Sequence, residues 1–223
     1  MPDTLQTRLL DAILMHVPFD GWSEPSFAAA IEDAGVDPVV ARSLFPRGAV
    51  DLAVAYHKAG DAEMLRRIEA ADLSEMRFRD KVAFAVRARI EAVDDREVVR
   101  RGTALFALPM HAVDGAKLIW GTADAIWNAL GDSSRDFNWY TKRATLSAVY
   151  SSTVLYWLGD ESPENTATWE FLDRRIEDVM RFEKTKAQMR DNPLLSRLMA
   201  GPGKLAERIK APDGAASDLP GGG

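Results

Sequence analysis

Apolar residues recur along most of the chain every three or four positions, the spacing of helices that bury one face. Leu5, Leu9, Ile13 and Val17 share a face and predict a first helix over residues 4–17. Phe27 to Val36 reads as a second helix ended by Gly35. Asp37 then caps, and Pro38 opens, a short third that runs to Pro46. A long helix follows over about residues 49–71, with Leu52, Ala55, Tyr56 and Ala59 on one face. The next, over about residues 77–93, turns Val82, Phe84, Ala85, Ile90 and Val93 inward. Asp94 and Asp95 cap a helix that Pro109 stops after Leu108. Three more are predicted over about residues 113–130, 136–158 and 163–190, broken by Gly131–Ser134 and Gly159–Ser162. No stretch alternates over the length of a strand, and no internal repeat is visible. The pattern predicts an all-α protein, a three-helix N-terminal unit joined to a larger helical bundle.

The second and third helices have the outline of a helix-turn-helix, whose second helix reads bases with basic or amide side chains. The first 46 residues carry seven acids against Arg8 and Arg42, a net charge of −5. Phosphate neutralisation supplies most non-specific DNA affinity, so an acidic face opposes it. The chain as a whole has a net charge of −6, and no nucleic-acid partner is expected.

The 223 residues suffice for one large domain or two small ones. The absence of cysteine excludes disulfides, thiol chemistry and Cys-ligated zinc or iron–sulfur sites. The longest apolar run, Ala144 to Leu158, is too short to span a bilayer and contains Ser147, Ser151, Ser152 and Thr153. The N-terminus has neither the basic and apolar regions of a signal peptide nor an Arg/Ser-rich transit segment. The expected location is the cytoplasm, peripheral on the inner face of a bacterial membrane.

Catalytic signatures are missing. None of His16, His57 or His111 follows a Glu by three residues, as the carboxylate–histidine pattern of di-iron bundles requires. No two histidines have helical ligand spacing, so neither a metal nor another cofactor is expected. There is no nucleophile elbow and no P-loop. Gly201-Pro202-Gly203 follows no strand and lacks the third glycine of a dinucleotide loop.

The segment Asp136-Phe137-Asn138-Trp139-Tyr140-Thr141-Lys142-Arg143 opens a helix with adjacent bulky aromatics. Neighbours on a helix diverge by about 100°, so one core stripe cannot hold both. Either Trp139, Arg143, Leu146, Tyr150, Thr153 and Trp157 face inward, or Tyr140, Ala144, Ser147, Ser151 and Leu155 do. The aromatics either staple the helix start to Trp127 and Leu130, or form an interface of the Trp/Tyr/Arg type enriched in hot spots.

The string from Asp136 to Ala144 resembles the accessory lipid-binding proteins of coenzyme Q (ubiquinone) biosynthesis. So do Leu108-Pro109, Trp127 with Gly131-Asp132, and the run from Thr168 to Ile176. The similarity reaches to about Lys210. It implies a homodimeric fold like that of TetR regulators, without their DNA binding. It also implies binding of isoprenoid quinone precursors or other lipids such as phospholipid, and partnership with a di-iron demethoxyubiquinone hydroxylase. Mapped by this resemblance, the hydroxylase-binding patch is Ile126, Trp127, Asp136, Trp139, Tyr140 and Arg143. An expected lipid pocket is lined by Leu105, Phe106, Leu108, Leu118, Trp120, Val149, Tyr150 and Trp157.

Residues 193–210 place Leu194, Leu198, Leu205 and Ile209 within one arc, flanked by Arg197, Lys204 and Arg208. Four bases face one acid there, a local charge of +3, which suits an interfacial helix on an anionic membrane surface. The resemblance implies the same membrane-binding role, carried by Leu194, Leu198, Lys204, Leu205, Arg208 and Ile209. Gly201-Pro202-Gly203 should hinge or break this helix. The expected organisation is a helix-turn-helix-like unit (1–47), a lipid-binding and dimerisation domain (48–191), the amphipathic segment (192–210) and a disordered tail (211–223). The expected function is non-enzymatic: to bind an isoprenoid quinone intermediate at the membrane and present it to the hydroxylase. The rival is a ligand-responsive transcriptional regulator.

Overall fold

The computed structural model describes residues 4–93 and 95–191, and every helix or strand assigned among them is a helix. The expected amphipathic segment, with Leu194, Leu198, Lys204, Leu205, Arg208 and Ile209, lies outside the described residues. In order, the helices are α1 (Leu5–Leu14), α2 (Val17–Asp20), α3 (Glu24–Ala34), α4 (Pro38–Leu44), α5 (Ala49–Ala70), α6 (Phe78–Ile90), α7 (Arg96–Ala107), α8 (Ala112–Ala129), α9 (Phe137–Leu158) and α10 (Thr166–Asp191). A 3-10 turn, Pro163–Asn165, leads into α10.

Local chemistry explains these boundaries. Thr4 accepts a bond from the Thr7 amide at the start of α1, and Asp37 accepts from Val39 and Val40 at the start of α4. Asp95 and Asp136 do the same for α7 and α9. Gly35 ends α3 in the left-handed region, with φ of 59° and its amide on the carbonyls of Ile31 and Glu32. The apolar residue Val17 begins a separate short helix, because the amides of Met15 and His16 close three-residue turns after α1.

The described residues form two compact units. One holds the residues up to Glu75 together with Phe84–Thr122; the other holds Met76–Ala83 and the residues from Ala123 onward. The core of the first gathers Leu9, Ile13, Phe27, Ala30, Leu52 and Val98, all almost fully buried. Trp22 packs its ring 5.7 Å from that of Tyr56, and Phe106 leans on the same core.

Two expected helix faces differ in part. On α5 the buried residues are Ala49, Leu52, Ala53, Gly60, Met64 and Ile68, while Ala55, Tyr56 and Ala59 are half-buried. On α6 the expected Val82, Ala85 and Ile90 are buried, joined by Val86, Ala88 and Arg89, while Phe84, and Val93 beyond the helix end, are only half-buried. The reason is polar. Arg89 Nε donates to Asp61 Oδ1 at 2.7 Å, and its Nη2 donates to the His57 carbonyl at 3.0 Å. Thr122 Oγ1 donates to the same carboxylate at 2.8 Å and lies 2.9 Å from His57 Nε2. A buried charge is tolerated only when paired in this way, and periodicity counted on apolar residues misses it. Burial, followed by the charge of Arg89, lowers the pKa of His57 to about 4 against an opposing pull from Asp61.

Both bases of the acidic front end are committed. Arg8 donates to the Ala34 carbonyl at the end of α3. Arg42, the single base in α4, pairs with Glu24 and lies 4.7 Å over the Phe27 ring. The face α4 offers to solvent instead includes Val39 and Val40.

Candidate functional site

The chemistry of the second unit is organised where α8 ends and α9 begins. Gly131, at φ 79°, lets the chain turn. Its amide bonds Asn128 O at 3.0 Å and the Asp132 amide bonds Trp127 O at 2.9 Å, the double closure of a Schellman turn. Asp132 is thereby aimed back at α9. Asp136 caps α9 through the Asn138 amide at 3.0 Å.

From that start, Trp139, Arg143, Leu146, Tyr150, Thr153 and Trp157 all turn inward, the first of the two stripes left open by the sequence. Arg143 has only 1% of its surface exposed. Its Nε donates to Asp124 Oδ1, its Nη1 to Asp132 Oδ2 at 3.1 Å, and its Nη2 to Asn128 Oδ1 at 3.1 Å. The guanidinium also sits 4.0 Å over the Trp139 ring. Lys142 Nζ completes the balance, 2.7 Å from Asp132 Oδ1 and 2.6 Å from Ser134 Oγ. Burial pushes the Asp132 carboxyl up, but bonds from Lys142, Ser134 and Arg143 outweigh it and hold its pKa at about 2.

This network bears on the expected docking patch. Ile126, Trp139 and Arg143 are interior side chains rather than parts of a presented surface. Asp136 is exposed, while Trp127 and Tyr140 are half-buried. Arg143 must lie between Asp124 and Asp132 to be paired, and Trp139 is drawn in as its roof. Tyr140 meets the edge of Trp139 with centroids 4.8 Å apart and planes at 78°. The staple component is also present: Trp127 Nε1 donates to Lys142 O at 3.1 Å, tying α8 to α9.

The residues expected to line one lipid pocket are divided between the units. Leu105, Phe106, Leu108, Leu118 and Trp120 belong to the first; Val149, Tyr150 and Trp157 belong to the second. Leu105 and Phe106 pack on the first unit's core, and Leu108 is exposed. Tyr150 and Trp157 are buried in the stripe of α9.

A cavity of about 280 Å³ does open within the second unit. Phe78, Arg79 and Val82 of α6 and Trp127 of α8 form part of its wall. The rest comes from Asn138, Thr141, Lys142, Thr145, Leu146 and Val149 of α9, and from Ile176, Val179 and Met180 of α10. Val149 is the expected lipid contact that lines it. Phe78 stacks on Trp127 with centroids 5.5 Å apart and planes at 27°. The contributions of α6 and α10 were not legible in the sequence, since the helices that meet here are distant along the chain. A pointer existed in Leu146 and Val149, which continue the inward face of α9 beyond its polar first turns.

Comparison with known proteins places these elements in context. Residues 112–183 match the COQ9 family model. The chain is 31% identical over 191 residues to the mitochondrial ubiquinone biosynthesis protein COQ9 of Drosophila melanogaster, covering 83% of this chain and 58% of that protein. It is 29% identical over 199 residues to the Homo sapiens protein of the same name, covering 84% of this chain and 61% of that one. The match thus spans about three fifths of the length of these relatives. A TetR transcriptional regulator from Nitrosomonas europaea superposes with a TM-score of 0.65 at 19% identity, over 78% of this chain and 97% of that one. That likeness is one of fold.

Proposed function

The chain is a relative of the COQ9 proteins, and from that premise we propose that it serves ubiquinone biosynthesis as a non-catalytic lipid-binding protein. It takes up an isoprenoid quinone intermediate at the membrane and offers the head group to a demethoxyubiquinone hydroxylase. The observation that carries this reading is the cavity on α9 and α10, where apolar side chains line space in the helices that match the family. A buried quinone precursor is out of reach of an enzyme in water, and an apolar cavity offers a place to hold it. Sequestering apolar surface supplies about 25 cal/mol per Å². Membrane contact through residues 193–210 and a homodimer complete the proposal. Among the described residues no helix is long and apolar enough to cross a membrane.

The test is mass spectrometry of the natively sprayed protein and of its organic extract, after purification from cells that make ubiquinone. A stoichiometric isoprenoid species supports the reading, and a lipid-free protein rejects it. Hydroxylase docking centres on Asp136, which is exposed, and on Tyr140, which like Trp127 is half-buried. Tyr140→Lys should abolish capture of the hydroxylase while the helical spectrum stays unchanged. Capture at normal affinity would reject the assignment.

A further inference from the structure

We propose that the mouth of the second unit's cavity is a membrane contact in its own right. Phe78, Phe137 and Met180 enter the interfacial layer of an anionic bilayer, and the bases around them meet its phosphates. The proposal rests on the lipid-binding reading above and names the surface through which the cavity is filled. It stands apart from the contact made by residues 193–210.

The rim is the first argument. Phe78 and Met180 line the cavity yet are 53% and 51% exposed, so they stand where it opens. Phe137 is 40% exposed and lies four and eight residues before Thr141 and Thr145, which line the cavity. That spacing puts it on their side of α9. Phe78 stacks one ring face on Trp127 and leaves the other outward. Three helices thus bring large apolar side chains to one opening. Such a cluster on a surface marks an interaction site, where scattered apolar residues do not.

Charge selects the partner. Arg77 and Arg79 share the one carboxylate of Asp80, at 2.7 and 3.5 Å, and Lys81 follows, so the start of α6 is positive. At the start of α9 the exposed Asp136 has Arg135 beside it. From Arg181 to Lys210 eight bases stand against three acids, although the whole chain carries a net charge of −6. Positive charge is therefore concentrated on the segments that frame the mouth or leave from it. Apolar groups with a basic collar suit the interface of an anionic leaflet. A mouth held there also lets a lipid pass into the cavity without carrying its apolar surface through water.

The test uses the full chain with vesicles of phosphatidylcholine, with or without one quarter phosphatidylglycerol. The chain has no cysteine, so Phe137→Cys, Met180→Cys and Glu161→Cys can each carry one nitroxide. Glu161 is exposed beyond the other end of α9. On anionic vesicles, relaxation of the two rim labels by oxygen should rise at least threefold relative to relaxation by a water-soluble nickel complex. The label at the Glu161 position should not change. Phe137→Ser with Met180→Ser should weaken flotation on anionic vesicles at least fivefold while the helical spectrum is unchanged. A chain with Leu194, Leu198, Leu205 and Ile209 all changed to Ser should keep residual flotation that the rim pair then removes. Rim labels that stay open to the nickel complex, or flotation unmoved by the rim pair, would overturn the proposal and leave membrane contact to residues 193–210. Rim labels shielded from both relaxants before vesicles are added would also overturn it, since protein would then cover the mouth. If the rim fails while isoprenoid still co-purifies, the lipid-binding reading stands. If the rim inserts and the protein carries no isoprenoid, the membrane contact stands and that reading fails.

Discussion

Arg143 and Asp132 meet at 3.1 Å with only 1% and 3% of their side chains exposed, an ion pair enclosed by the second unit. Removing Arg143 leaves the buried Asp132 with Lys142 alone and takes the guanidinium from Asp124. Arg143→Ala should therefore lower the free energy of unfolding by about 3–5 kcal/mol, measured by urea denaturation. Tyr140→Ala, which loses the edge contact with Trp139, should cost less, the aromatic pair itself being worth about 0.5–1.5 kcal/mol, and serves as the comparison.

The Asp132 carboxyl also predicts acid sensitivity. Its folded pKa of about 2 lies below the ordinary 3.8, so the unfolded chain binds more protons between those values. The stabilisation is complete above pH 4 and is lost as pH falls toward 2. Asp132→Asn should be less stable at neutral pH and should flatten this limb of a stability–pH profile.

His57 acts in a second window. Its folded pKa of about 4 lies below the ordinary 6.5, because burial and Arg89 disfavour the imidazolium. Stability from keeping it neutral is present above pH 6.5 and should decline as pH drops toward 4. Thermal unfolding of His57→Gln should show a smaller slope between those values; an unchanged slope would assign that limb to other groups.

Gly60 is a close-approach position. A Cβ there would stand 2.6 Å from Arg89 Nη1 and 2.7 Å from Cζ. Alanine is favoured over glycine in a helix by about 1 kcal/mol, yet here it must push the guanidinium off Asp61. Gly60→Ala should thus destabilise by about 1–3 kcal/mol, the usual range for overpacking. A rise in Tm would show that Arg89 relocates freely.

The front end should not bind DNA. Arg42 is paired with Glu24, Arg8 is tied to the end of α3, and the surface of α4 offers Val39 and Val40 where base-reading groups would stand. Fluorescence anisotropy of a labelled duplex should stay flat on titration at low salt, where phosphate contacts are strongest. Saturable binding to a selected sequence would favour a regulator.

The sequence by itself determined the helices, because their signals are local. Asp37, Asp95 and Asp136 cap, Gly35 terminates, and the three- and four-residue spacing of apolar groups marks which segments bury a face. It also determined the acidic character of the first helices and, through the string around Trp139 and Tyr140, the family resemblance. Tertiary structure decided between the two faces of α9, since burying Arg143 depends on Asp124 and Asp132 arriving from elsewhere in the chain. It placed Trp139, which the sequence left open between core and docking patch, as the roof of that ion pair. It likewise brought Phe78, Val149 and Ile176 to one cavity while dividing the expected lipid contacts between two units. Helix formation depends on neighbours within about four residues. Pairing of buried charge and the shape of a cavity depend on partners whose distance along the chain carries no local signal.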